Sequence, residues 1–359
     1  LFMDYVYFFG AGEADGSEEL KDILGGKGAN LGEMTSIGIP VPAGFTISAE
    51  VCQYYYRHDE TYPEGLEESV DENIEKLEEV NEREFGDPED PLLLSVRSGA
   101  AVSMPGMMDT VLNVGLNKET LKGLVNRTGN ERFGWDSYRR LIQMYGEVVK
   151  GIDAREFDLA LENIKEEKGA ENDTDLTVED LKEVVDRFKE IYEDNLDEEF
   201  PTDPRDQLWG AINAVFGSWN NPRAIKYREI NDLPHDALGT AVNVQTMVFG
   251  NTGENSATGV AFTRNPSTGE KKRYGEYLKN AQGEDVVAGV RTPKDIKTLK
   301  DEMPEAWDEL EEIFRKLEEH YKDVQDVEFT IENGDLYMLQ TRTGKRTAKA
   351  AVKIATDMA

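Results

Sequence analysis

The stretch Leu92–Leu116, LLLSVRSGAAVSMPGMMDTVLNVGL, constrains this chain most, because a short apolar strand empties there into a loop too apolar and glycine-bearing for ordinary surface. Leu92, Leu93, Leu94 and Val96 form a buried-strand run. Arg97 is expected at its carboxyl end, where open α/β layers present ligand-binding groups. Ser98-Gly99-Ala100-Ala101 would let backbone N–H groups approach an anion, and Met104-Pro105-Gly106-Met107-Met108 is a flexible apolar segment with a hinge glycine. Such a loop is suited to closing over a nucleotide. The same residues also suit a core strand with a salt-bridged arginine and a methionine-padded turn.

A chain of 359 residues can bury one large core or two to three smaller ones. It contains no internal repeat, and no apolar run approaches the roughly 20 residues of a membrane helix. The formal charge of −33 excludes roles that need a dominant basic surface, which removes nucleic acid and anionic membranes as partners. ATP remains compatible, because exposed charges are largely screened beyond about 8 Å and the local cluster decides. The opening residues lack a basic region followed by a long apolar one, and Cys52 is the only cysteine, so a cytoplasmic location is expected.

The sequence Leu24-Gly25-Gly26-Lys27-Gly28-Ala29-Asn30 sets a glycine-rich turn ahead of a helix that Gly38 ends, with Lys27 where phosphate would sit. It is not a Walker A loop, because Gly28 stands where that motif needs Ser or Thr. A capped turn with a solvent lysine remains the alternative. From Asn117 to about Asn231 the pattern is helical; Arg139 and Arg140 form a rare basic pair there, more structural than catalytic in character. Strands then return. The run from Ala241 to Phe249 and the run from Gly259 to Arg264 read as a hairpin whose backbone from Gln245 to Val248 would suit an adenine edge, with Met247 against its face; a plain core strand is the alternative. Glu276 is placed to touch ribose or to lie on the surface.

The clearest hairpin is Asp326–Arg342 around Asn333-Gly334. Val327, Phe329 and Ile331 alternate onto one face, which puts Asp326 and Glu328 on the other with Gln340 and Arg342 nearby. Hard Mg²⁺ takes one or two carboxylate oxygens plus phosphate oxygens and water, so this face is a metal candidate; an ordinary exposed acidic face is the alternative. A two-residue turn would pair Ile331 with Leu336 and put Gln340 opposite to Glu328's face. A three-residue loop, Glu332-Asn333-Gly334, instead pairs Phe329 with Tyr337 and gathers Asp326, Glu328, Gln340 and Arg342; the three-residue loop is the expected one.

The segments SVRSGAAVSMPGMMDTVLNVGLN, GGKGANLGEMTSIGIPVPAGFTI, FPTDPRDQLWGAINAVF, NPRAIKYR, AVNVQTMVFGN, TGVAFTRNPSTGE, GEYLKNAQGEDVVAGVRTP and QDVEFTIENGDLYMLQTRTGKRTAKAA resemble pyruvate, phosphate dikinases. The resemblance spans essentially the whole chain. It implies an α+β ATP-grasp fold, two α+β lobes around a nucleotide cleft with a helical insertion. The implied division is a first lobe over 1–114, the insertion over 115–200, a second lobe over 201–340 and a connector over 341–359. Carried over residue by residue, it implies phosphate contacts from Lys27 and Arg97, Mg²⁺–ATP contacts from Glu328 and Gln340 with Asp326 and Arg342 nearby, and loop closure involving Gly106, Thr258 and Gly259. In that family ATP and phosphate convert an acceptor histidine to phosphohistidine, releasing AMP and pyrophosphate, and a separate domain passes the phosphoryl group to pyruvate. Full-length members are expected to be homodimers.

His58, His235 and His320 are the only histidines, and none lies in a context resembling the family's acceptor segment, so the chain is expected to be the nucleotide domain alone. The exposed stretch from Thr263 to Glu276 is the candidate docking surface for the phosphohistidine domain. The alternatives are the ATP domain of a phosphoenolpyruvate synthase or an antibiotic phosphotransferase, or a non-catalytic nucleotide-binding module.

Overall fold

The computed structural model describes residues 5–102, 104, 106, 108–233, 239–288 and 291–359. The chain divides into two compact units, Leu1–Ala29 with Ala43–Met247, and Asn30–Pro42 with Val248–Ala359. Each unit pairs helices with one antiparallel sheet, which is the α+β class expected from the sequence.

The first unit holds β1 (Val6–Gly10), β2 (Glu13–Ala14), β3 (Gly44–Ile47), β4 (Leu94–Ala100), β5 (Thr110–Val114) and β6 (Thr240–Thr246), in the spatial order β2-β1-β3-β6-β4-β5. Strand alternation sorts the sheet into two faces. Phe45, Ile47, Val242, Val244, Leu94 and Val96 are fully buried on one, each worth about 1.5–3 kcal/mol against exposure. Thr46, Asn243, Gln245, Ser95 and Arg97 are buried on the other, which is polar.

Helix α1 (Lys21–Ser36) runs across the division between the units, which falls after Ala29. It is followed by α2 (Ala49–Arg57), α3 (Leu66–Asn81), α4 (Lys118–Thr128), α5 (Glu131–Val148), α6 (Ala154–Lys168), α7 (Val178–Leu196), α8 (Pro204–Ser218) and α9 (Pro222–Ile230). The caps follow local chemistry: Thr177 and Asp180 form a capping box at α7, and Asp203 caps α8 with Pro204 in its first turn. α5 is anchored by a buried ion network. Asp136 accepts from Arg139 Nε at 2.9 Å and Arg140 Nε at 3.0 Å, while Arg139 also reaches Asp173 at 2.8 Å. The basic pair is therefore structural.

The second unit holds β7 (Ala257–Phe262), β8 (Tyr274–Lys279), β9 (Lys294–Asp295), β10 (Gln325–Glu332) and β11 (Asp335–Thr343), ordered β11-β10-β7-β8-β9. Its helices after β8 are α10 (Gly283–Ala288), α11 (Leu299–Glu302), α12 (Pro304–Tyr321) and α13 (Ala348–Met358), and α12 packs on β10 and β11. The expected adenine hairpin does not exist. β6 lies between β3 and β4 in the first sheet, whereas β7 lies between β10 and β8 in the second. Two buried alternating strands with a polar segment between them satisfy a hairpin pattern equally well when each joins a different sheet.

The unit boundary consequently falls at 247/248 rather than at 200/201. The segment expected to be a connector, 341–359, is the end of β11 followed by α13, and α13 buries Ala350 and Ile354 with Val324. Buried Arg264 ties Glu318 of α12 at 3.0 Å to Asp357 of α13 at 2.9 Å. Thr347 of the α13 cap bonds Pro266 O and Ser267 O. Much of the stretch 263–276 is thus occupied within its own unit, and it is not a wholly exposed surface.

Candidate functional site

The polar face of the first sheet is one row of side chains. The registers place Thr46, Asn243, Arg97 and Thr110 opposite one another across β3, β6, β4 and β5, so their side chains share a face. Thr46 Oγ1 donates to Asn243 Oδ1 at 2.9 Å, and Arg97 Nη2 donates to Gln245 Oε1. Arg97 is 8% exposed.

The helix α1 meets this face through glycine. Gly25 leaves helical geometry at φ 69° and ψ 169°, so helical backbone restarts at Gly26 with Lys27 in its first turn. A Cβ on Gly25 would overlap the carbonyl oxygen of Gly99, and one on Gly28 would come within 2.7 Å of Thr46 Oγ1 and 2.9 Å of Asn243 Oδ1. Only glycine permits that approach. Lys27 Cβ lies 3.6 Å from where a Gly99 side chain would begin, which brings the lysine turn beside the strand that carries Arg97. A helix start with a lysine in its first turn, laid on a sheet face bearing a guanidinium, is a binding arrangement for an anion.

Three expectations change here. Arg97 sits in mid-strand, because β4 continues through Ala100 and pairs antiparallel on both sides; it acts as a face residue and not as a strand-end residue. The N–H groups of Ser98 and Gly99 are committed to Asp109 O at 3.4 Å and Thr240 Oγ1 at 3.1 Å, so they form no anion cradle. Gln245 is an internal ladder residue whose side chain faces Arg97, and the Met247 N–H donates to Leu93 O at 2.9 Å. The backbone of Gln245 itself lies in an internal strand and is already paired. Gly106 takes a left-handed turn at φ 70°; Ser103, Pro105 and Met107 of the same loop lie outside the described residues.

In the second unit the sheet registers line up Gln340, Glu328, Val260, Glu276 and Asp295 across β11, β10, β7, β8 and β9. Glu328 and Gln340 are direct partners. They become so by a route other than the expected loop. Asn333 at φ 51° and Gly334 at φ 97° make a two-residue turn that pairs Ile331 with Leu336, and a β-bulge between Glu328 and Phe329 then shifts the ladder by one residue. Without the bulge Gln340 would sit opposite Val327 and face away from Glu328.

Asp326 pairs with Arg342, whose Nε donates to it at 2.8 Å; burial nevertheless holds the Asp326 carboxyl above its ordinary pKa. Among the described residues no group of three or more His, Cys, Asp or Glu side chains is placed to hold a metal. The Glu328 carboxylate and Gln340 carboxamide supply hard oxygen donors of the kind Mg²⁺ uses when phosphate and water complete its octahedron. Thr258 and Gly259 lie within β7 and not in a loop. Thr258 Oγ1 donates to Phe329 O at 3.2 Å, and a Gly259 side chain would strike the Phe329 ring. Loop closure by these two residues is therefore excluded.

Sequence reasoning missed Asn243 and Thr46. The signal was present in AVNVQT, where Asn243 and Gln245 alternate with Val242 and Val244. Of the carboxylates in the helical insertion, Glu162, Glu166 and Glu167 lie on exposed faces, whereas Asp136 is buried. Changing those three exposed glutamates together to Gln is expected to leave Mg²⁺–ATP affinity within about twofold, since exposed pairs are worth about 0–1 kcal/mol and touch no part of the polar row. Titration of the triple variant checks this.

The family model described as "Pyruvate phosphate dikinase, AMP/ATP-binding domain" matches residues 21–85, 59–306 and 297–359. A pyruvate, phosphate dikinase of Rhizobium meliloti is 58% identical over 99% of this chain and 41% of its own length. One from Clostridium symbiosum is 57% identical over 99% of this chain and 40% of its own. A chloroplastic one from Oryza sativa is 58% identical over 98% and 37%. The chain thus spans about two fifths of the length of these curated relatives. No described helix is long and apolar enough to cross a membrane. A family match over most of the chain, joined to relatives at well over half identity, means that this chain belongs to the pyruvate phosphate dikinase AMP/ATP-binding domain family.

Proposed function

We propose that this chain binds Mg²⁺–ATP and performs the nucleotide half-reaction of a pyruvate, phosphate dikinase in the cytoplasm. Lys27 and Arg97 hold phosphate oxygens, and Glu328 and Gln340 ligate Mg²⁺, with Asp326 and Arg342 supporting them. ATP and phosphate then convert a histidine on a separate domain to phosphohistidine, with release of AMP and pyrophosphate. Bound Mg²⁺ would neutralise phosphate charge, while this chain's residues orient the phosphates. Dimerisation of the full-length protein is part of the same reading.

The observation that carries it is the buried guanidinium of Arg97 on a polar sheet face beneath the Lys27 turn, in a chain of net charge −33. The chain's own described histidines are engaged elsewhere: His58 stacks on Tyr54 at 3.8 Å between ring centroids, and His320 Nε2 lies 2.6 Å from Glu33. Mg²⁺–ATP at about 100 times its dissociation constant is expected to stabilise the protein by roughly 2.7 kcal/mol. AMP and pyrophosphate are expected only when the family's phosphohistidine domain and phosphate are added. Labelled ATP mixed with the chain alone and with that domain tests both; rapid AMP formation by the chain alone, or no thermal shift with Mg²⁺–ATP, would overturn the reading.

A further inference from the structure

Asn243 is 0% exposed, and its Nδ2 has no hydrogen-bond partner among the described residues. An unsatisfied buried donor normally destabilises a fold, so its retention requires a reason. Its surroundings supply one. Asn243 stands between Thr46 and Arg97 in the polar row, and Thr46 Oγ1 donates to its Oδ1 at 2.9 Å. A Cβ on Gly99 would come within 2.5 Å of Nδ2, and a Cβ on Gly28 within 2.9 Å of Oδ1. No side chain therefore separates the carboxamide from the backbone of the lysine turn above it and of β4 beside it.

We propose that Asn243 is a positioning residue for phosphate binding, resting on the nucleotide reading above. Thr46 occupies the oxygen end of the carboxamide, which leaves the positive N–H end under the Gly28–Gly99 approach. There it adds a fixed dipole favourable to an anion and seats the Lys27 turn beside Arg97 without touching the ligand. The charged groups bordering it are Lys27 of α1 and Arg97 of β4; β3 contributes the neutral Thr46.

Asn243→Leu removes the dipole at similar volume. It removes one unsatisfied donor and leaves the buried Thr46 hydroxyl without its acceptor, so the two effects offset and the variant is expected to melt close to the parent in apo scans, yet to bind Mg²⁺–ATP about tenfold more weakly. Asn243→Asp keeps an acceptor for Thr46 but places a carboxylate beneath the turn. Its affinity is expected to fall by about tenfold or more, because the neighbouring Lys27 and Arg97 and the Thr46 hydroxyl keep the carboxylate charged, where it repels phosphate. A role confined to packing would instead lower the melting temperature of Asn243→Leu and leave ATP affinity equal to that of the parent in both variants. That result, with the parent binding ATP, would overturn this proposal alone; failure of the parent to bind would overturn the nucleotide reading. If Asn243→Asp does not fold, the separation of stability from affinity in Asn243→Leu decides.

Discussion

Arg97→Lys is expected to weaken Mg²⁺–ATP binding about 100-fold while the protein stays folded. Arg97 is buried in mid-strand and spends one N–H on Gln245 Oε1, so only the forked guanidinium can keep that bond and present further N–H groups to phosphate. Lysine offers a single point charge on a flexible stem and must abandon one of the two. Losing a charge-assisted hydrogen bond costs about 1.5–3 kcal/mol, and the upper end corresponds to roughly 100-fold in affinity. Calorimetric titration with Mg²⁺–ATP, beside apo melting curves, checks the result. Unchanged affinity would assign Arg97 to sheet packing.

The largest expected loss of stability follows Asp136→Ala. Asp136 is 5% exposed and accepts from both Arg139 and Arg140. Removing one partner of a buried pair costs about 3–5 kcal/mol because the remaining charges stay buried. The pH dependence has a defined direction. Burial alone would raise the Asp136 carboxyl, but the guanidinium groups of Arg139, Arg140 and Arg132 outweigh it and hold the pKa far below the ordinary value; Asp173 is lowered in the same way. A depressed carboxyl contributes its stability fully above the unfolded-state value and loses it as pH falls through the lower, folded-state value. The parent should therefore lose stability below the usual carboxylate range, and the Asp136→Ala variant should lose less over the same interval. Urea melts at a series of pH values measure both slopes. A parent whose acid slope matched the variant's would remove the network from the stability argument.

Local chemistry was readable from sequence wherever a few neighbouring residues settle the outcome. The Thr177 and Asp203 caps and the end of α1 at Gly38 depend on side chains or φ preferences within one turn, whereas the Asn333-Gly334 hairpin was legible as a hairpin but its two-residue turn was not, since a three-residue loop was expected. Lys27 and Arg97 drew attention for a related reason: glycine beside a lysine, and an arginine after an apolar run, are unusual patterns. The Asp136 network was not legible, because a charged residue on a helix reads as solvated until the packing of α5 shows which face is covered.

The helical character of the middle of the chain and the alternation of each strand were determined by the sequence, since periodicity is a property of successive residues; the α+β class was implied by the family resemblance. Tertiary structure alone assigned β6 and β7 to different sheets, because an alternating strand pairs equally well by its own pattern with several partners. It also assigned the row Thr46–Asn243–Arg97, in which Thr46 and Asn243 are 197 residues apart, and the bulge that turns Gln340 to the face of Glu328. Pairing register is a contest between distant segments for buried area and backbone hydrogen bonds. One strand read by itself carries no record of which partner wins.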